Sequence, residues 1–241
     1  MRSVDLGAGV AAAITDRTGG TSAPPYDGNN LGRCVGDAPA AVAANRAATA
    51  AALALDASRV VWMAQVHAAR VTVVDSPRPD PVAVTDALVT ATPSLALAVL
   101  VADCAPVLLA DPAARVVAAA HAGRRGLAAA VVPRAVAAML DGGARPGDVR
   151  AFVGPTICGG CYEVPGPLQE EVAARVPGSA CTTRRGTPGL DLRSGLIGQL
   201  HDAGIDAVDV DPTCPAEHPA YFSYRRDGTT GRFAGYVWLR P

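Results

Sequence analysis

The chain has 241 residues, half of them apolar, with 21 arginines, no lysine and a formal net charge of −1. That composition can bury one sizeable core, and the lack of any basic tract excludes a nucleic acid or an anionic membrane surface as partner. The most apolar run, Leu95 to Ala102, is far shorter than the ~18 residues a transmembrane helix needs.

At the start of the chain, Asp5 and Asp16 flank a short, glycine-containing stretch that does not read as a secretory signal. The six cysteines are irregularly spaced, which fits reduced thiols rather than a disulfide framework. Together these features lead us to expect a cytoplasmic protein of one domain spanning residues 1–241.

Along the chain, Val60 to Val66 reads as a buried strand ending at His67, and Val71 to Val74 as a second strand. Three prolines between Asp75 and Pro81 make that segment a loop. Four apolar runs follow: Asp86 to Thr90, Ala96 to Cys104, Val107 to Asp111 and Arg115 to Gly123. They lie too close together for intervening helices, so a mixed sheet with antiparallel neighbours is expected. Leu127 to Leu140 predicts a helix that either starts near Pro133 or is kinked there. Further helices are expected at Pro167 to Val176 and Leu192 to Ala203, and strands at Val149 to Val153, Ala207 to Val210 and Gly235 to Leu239. Interspersed helices and strands place the chain in the α+β or mixed α/β class.

His67, Cys104 and His121 each stand at or near the end of an apolar strand run. Meeting at one rim, they would offer two imidazoles and a thiolate, a set zinc accepts with a fourth position open. Two other readings use the same residues. His121 and Cys104 could be buried core groups, or Cys104 could be a nucleophile with His121 as its base and Asp103 or Asp111 orienting the imidazole. Cys158-Gly-Gly-Cys161 is a lone CxxC without a partner motif or a thioredoxin-like frame, and we read it as structural.

Eight segments occur in a fixed order: NLGRCVGD (Asn30 to Asp37) with Asn45-Arg46, AQVH ending at His67, TDALVT from Thr85, ADCAPVLLAD from Ala102, HAGRRG from His121, VGPTICGGCYEV from Val153, DLRSGLIGQL from Asp191, and YFSYRRDGTTGR from Tyr221. In this order they resemble the YfiH family of multicopper polyphenol oxidase-like and purine nucleoside phosphorylase proteins. The resemblance implies that His67, Cys104 and His121 ligate zinc, with copper as the alternative ion. It implies an α/β/β/α sandwich similar to the catalytic domain of the cytotoxic necrotizing factor. The activities it implies are phosphorolysis of adenosine, inosine and methylthioadenosine, adenosine deamination, and laccase-like oxidation.

For phosphorolysis the partners are a nucleoside and phosphate, and Arg46, Arg125, Arg225 and Arg226 are the candidate anion contacts. Asn30 is assigned to the pocket, and Tyr221, Phe222 and Tyr224 offer rings for a purine to stack on. The chain departs from the family pattern at Ala68, where glycine is usual, and at Arg124, where tryptophan is usual. A multicopper laccase is disfavoured, because the chain has only four histidines. The alternatives are a cysteine amidohydrolase acting on a cell-wall precursor through Cys104 and His121, and a non-catalytic binding module.

Overall fold

A computed structural model describes all 241 residues. Side-chain alternation in the central strands dictates its layers. In β7 (Ala105–Asp111), Val107 and Leu109 face one core while Leu108 and Ala110 face another. In β8 (Val116–Ala122), Ala118 and Ala120 join the first core, and Val117 and Ala119 the second. Apolar residues of both parities mean that each sheet is covered on both faces.

The first sheet has five strands, in the order β1 (Arg2–Val4), β2 (Val10–Ile14), β13 (Phe233–Leu239), β6 (Ala96–Val101) and β3 (Val60–Trp62). The second has six: β12 (Ala207–Val210), β9 (Arg150–Val153), β7, β8, β5 (Ala87–Thr90) and β4 (Val71–Val73). A small hairpin pairs β10 (Ala180–Thr182) with β11 (Pro188–Leu190). The two large sheets face each other across Ile14, Leu97, Val99, Leu108, Val117, Phe152 and Phe233. Helix α1 (Pro39–Ala52) covers the outside of the first sheet, where Ala50 packs with Ala96, Ala98 and Tyr236. Helices α3 (Val131–Asp141) and α5 (Leu192–Asp202) cover the second through Val132, Val136, Met139, Leu196 and Leu200. The short α2 (Arg124–Ala128), α4 (Gly166–Arg175) and α6 (Tyr224–Asp227) complete the set. The result is the expected α/β/β/α sandwich, and no helix is long and apolar enough to cross a membrane.

Three expected elements differ in the structure, and the first two shape the site. The run from Ala96 to Cys104 stops pairing at Val101, because the chain there leaves the first sheet and enters the second at Ala105. Antiparallel pairing of chain neighbours therefore holds for β7 with β8 but not for β6 with β7. The strand expected up to Val66 ends at Trp62, since the amides of residues 66–68 turn to a buried carboxylate instead of a neighbouring strand. The helix expected over Leu127 to Leu140 is two helices, with Ala130 between them in the left-handed region at φ 60°. A continuous helix would drive the Pro133 ring into the carbonyl of Ala129, whereas in the first turn of α3 the proline is tolerated. Helix α1 was not anticipated: its buried positions Val42, Asn45, Thr49 and Ala50 have helical spacing, but two of the four are polar.

Candidate metal centre

The sheet crossing builds the site. Cys104 is the last residue of the link from β6 to β7, and β8 runs back beside β7 with Ala105 opposite Ala122 and Pro106 opposite His121. This register brings Cys104 beside Gly123 and close to the His121 ring. His67 arrives from the loop after β3, which Gln65 ties to β6 by bonding both the N–H and the carbonyl of Leu100, at 2.9 and 2.8 Å. The ligand atoms of His67, Cys104 and His121 all lie within 4.8 Å of one another. His67 Nε2 is 3.9 Å from Cys104 Sγ, and the two imidazoles meet edge to face with centroids 4.7 Å apart.

One buried carboxylate sets this arrangement. Asp86, just before β5, accepts the N–H groups of Val66, His67 and Ala68 at 3.2, 2.9 and 2.9 Å. It also bonds His121 Nδ1 at 2.9 Å, while its own carbonyl accepts the His121 N–H at 2.7 Å. His67 sits in the left-handed region at φ 60°, a conformation uncommon for a residue with a side chain. Three converging amide bonds hold it there. With its Nδ1–H donated to Asp86, the His121 ring, once deprotonated by a binding ion, directs its Nε2 lone pair at the centre. Burial alone would raise the Asp86 carboxyl, but the bonds from His121 and the loop amides outweigh it and hold the group below its ordinary range.

Cys104 and His121 polarise each other. Burial pushes the thiol up, yet the His121 charge and hydrogen bonds from both imidazoles bring it down to about 6. Burial likewise pushes His121 down, yet the Cys104 thiolate and then Asp86 raise it to about 9. A thiolate flanked by two imidazole nitrogens is a donor set that zinc accepts with one position open, and copper also suits it. Gly123 approaches the centre closely: a Cβ on it would stand 2.7 Å from Cys104 Sγ and 3.3 Å from His67 Cδ2.

The centre lies in the wall of a cavity of about 850 Å³ lined by Met63, Val101, Ile157, Tyr162 and Tyr224, with Arg33, Arg46, Arg225 and Arg232 as its cations. This volume falls within the range of small-molecule sites. His67 also lines a recess carrying Arg70, Arg124, Arg125 and Arg134, none of which is ion-paired, together with the Glu171–Arg175 ion pair.

Of the residues assigned to substrate, Arg46 and Arg225 line the cavity. Arg46 stacks on Trp62 at 3.7 Å and donates to the Leu31 carbonyl at 2.8 Å, and burial lowers it to about 10. Arg225 spans the Cys161 and Glu163 carbonyls and lies over Tyr162. Arg125 stands in the arginine recess, not in the cavity. Two assignments are corrected. Asn30 is fully buried and outside the cavity: its oxygen accepts the N–H groups of Gly32 and Arg232 at 2.9 and 2.8 Å, and its nitrogen donates to Asp37 at 2.8 Å. It braces the loop whose next residues form the cavity wall. Arg226 is a clamp bound to Asp227 and to the carbonyls of Pro215, His218 and Tyr221.

Tyr224 lines the cavity, whereas Tyr221 and Phe222 belong to the core between the sheets. Neither Asp103 nor Asp111 orients His121. Asp103 accepts from Ser223 Oγ and the Arg225 N–H, and Asp111 from the N–H groups of Ala113, Ala114 and Arg145. Sequence reasoning missed Asp86, Gly123 and Tyr162 as site residues, although all three fall within the quoted motifs. His201 and His218 are exposed and outside the centre.

The family model described as multi-copper polyphenol oxidoreductase laccase matches residues 11–240. The chain belongs to this family. Among family relatives, a purine nucleoside phosphorylase of Mycobacterium tuberculosis is 56% identical over 230 residues, covering 95% of this chain and 92% of that one. A purine nucleoside phosphorylase of Streptomyces coelicolor is 55% identical, covering 96% of each chain. Among solved structures, YfiH of Bacillus licheniformis superposes with a TM-score of 0.91 at 32% identity, covering 96% of this chain and 93% of that one. A Neisseria meningitidis protein described as a DUF152 member gives a TM-score of 0.90 at 35% identity, covering 100% of this chain and 99% of that one.

Two substitutions test the geometry. Gly123→Ala keeps a backbone conformation open to alanine (φ −82°) but fills the space beside Cys104 Sγ, so the folded variant should take up less zinc than the wild type when both are loaded and analysed for metal. Asp86→Asn offers one acceptor oxygen where four donors converge, and zinc affinity measured by chelator competition should fall roughly 10- to 100-fold.

Proposed function

We propose that this chain is a zinc-dependent purine nucleoside phosphorylase that acts on adenosine, inosine or methylthioadenosine and also deaminates adenosine. The observation that carries the reading is the position of the centre: His67 lines both the nucleoside-sized cavity and the arginine recess. The curated names of relatives more than 50% identical support the same reading.

In this reading the purine lies in the cavity between apolar side chains and the Tyr162 and Tyr224 rings. Phosphate occupies the recess, where Arg124 and Arg125 supply charge-assisted donors and Arg70 and Arg134 add positive potential. A phosphate oxygen then attacks the ribose anomeric carbon at the rim beside His67; the C–N glycosidic bond breaks as the carbon–oxygen bond forms, and the purine leaves with that electron pair and takes up a proton from solvent. Zinc held by His67, Cys104 and His121 would supply Lewis acidity at this boundary. Arg124, in the place of the family's usual tryptophan, lies near enough to Tyr162 for its charge to act on that side chain, between the recess and the cavity.

A second reading has one observation in its favour. Cys104, His121 and Asp86 form a thiolate, imidazolium and carboxylate series, the arrangement of a cysteine hydrolase. A polyphenol oxidase reading has less support, since it requires several histidine-ligated coppers and two of the four histidines stand apart.

Adenosine and inosine are to be incubated with purified protein with and without phosphate. Release of free base only with phosphate is expected, and chelation should abolish it until zinc returns. Base release without phosphate would contradict the phosphorylase reading, and activity that survives chelation but not thiol alkylation would favour the hydrolase. Arg125→Ala should raise the KM for phosphate about 10-fold or more, as loss of one charge-assisted contact implies, with little change in the KM for nucleoside.

A further inference from the structure

A second cluster of donors lies outside this centre. Cys158, Cys161, Cys214 and Glu217 place their ligand atoms within 4.8 Å of one another. Cys158 and Cys214 are 56 residues apart in the chain, yet the Cys158 N–H donates to Cys214 Sγ at 3.3 Å. We propose that these four side chains form a structural zinc site.

Two turns of the same form build it. The Cys158 carbonyl accepts the N–H groups of Cys161 and Tyr162 at 2.9 and 3.0 Å, and the Cys214 carbonyl accepts those of Glu217 and His218, both at 3.0 Å. Each turn thus presents a cysteine and, three residues later, a second donor, and the two turns face each other. A tetrahedral zinc with Zn–S near 2.3 Å has ligand-to-ligand edges of about 3.8 Å. Cys158 Sγ and Glu217 Oε2 already stand 3.8 Å apart, and with all four atoms within 4.8 Å of one another a contraction of at most about 1 Å on any edge completes the set. Thiolate-rich ligation selects zinc over magnesium or calcium, and four protein donors leave no open position, the mark of a structural site.

Arg184 supplies the balancing charge. Its guanidinium donates to Cys161 Sγ at 3.0 Å and pairs with both carboxylate oxygens of Glu217. Three thiolates and a carboxylate exceed the charge of a dication, and the adjacent arginine offsets part of the remainder. The glycines between the first two cysteines serve packing: a Cβ at Gly159 would meet Cys181 Sγ at 2.7 Å, and one at Gly160 would press on the Arg184 side chain.

The site would fix the active-site wall from behind. The first turn lies between Ile157 and Tyr162 of the cavity and gives its Cys161 carbonyl to Arg225. The second gives the Pro215 and His218 carbonyls to Arg226. Cross-linking the turns would join the segment before α4 to the one before α6.

Zinc content and the cobalt(II) spectrum test the proposal. The wild-type protein loaded with zinc should hold about two ions per chain, one at each site. His67→Ala with Cys104→Ala should keep one ion, and its cobalt form should retain a strong thiolate charge-transfer band. Cys161→Ser with Cys214→Ser should also keep one ion, with that band reduced to the strength of a single thiolate. Glu217→Gln, which preserves side-chain shape, should weaken the second ion at least 10-fold in chelator competition. A wild-type protein with a single ion that vanishes in the His67 and Cys104 variant would overturn the site. A cobalt spectrum unaffected by replacing Cys161 and Cys214 would overturn it as well.

Discussion

The buried Asp86 carboxylate is the constraint from which the rest of the site follows. Left without partners, an ionised carboxylate this deep would cost many kcal/mol. Four N–H donors satisfy it instead, three from the His67 loop and one from the His121 ring. The same bonds that stabilise the charge therefore position two imidazoles on separate elements and choose the tautomer of one. Removing the carboxylate would strand several buried donors together.

The third donor depends on the sheets. Cys104 sits where the chain crosses from one sheet to the other, and Asp103 before it takes a left-handed conformation at φ 84°. That residue is tied down through Ser223 and the Arg225 amide on its side chain and through Thr156 and Ile157 on its carbonyl. Both strained residues next to the site are thus held by several bonds, which is how such conformations persist. The loop of Gly32 to Val35 on the opposite wall is braced in the same manner, by Asn30 below it and by Asn45, whose amide donates to the Asn30 carbonyl at 2.9 Å.

Much of this could be read from the sequence where side chains alternate or motifs repeat a known order. The runs at Ala96, Val107 and Arg115 are strands because residues of both parities are apolar, and His67, Cys104 and His121 were grouped through the ordered motifs. Asp86 was not legible, because a carboxylate that accepts backbone amides leaves no spacing pattern. Asn30 and Arg226 were misplaced for a related reason: polar side chains in a loop motif serve backbone groups as readily as ligands. The CxxC at Cys158 looked solitary because its partners lie 56 residues on, in a segment whose second donor is a glutamate rather than a cysteine. Helix α1 was hidden by alanine, which gives little contrast between buried and exposed faces.

X-ray absorption at the zinc edge, on protein carrying Cys161→Ser and Cys214→Ser, would examine the His67, Cys104 and His121 centre alone. One sulfur near 2.3 Å and two imidazole nitrogens near 2.0–2.1 Å are expected, with a single light atom completing the shell. A shell of oxygen and nitrogen without sulfur, or one holding a single imidazole, would contradict that ligand set.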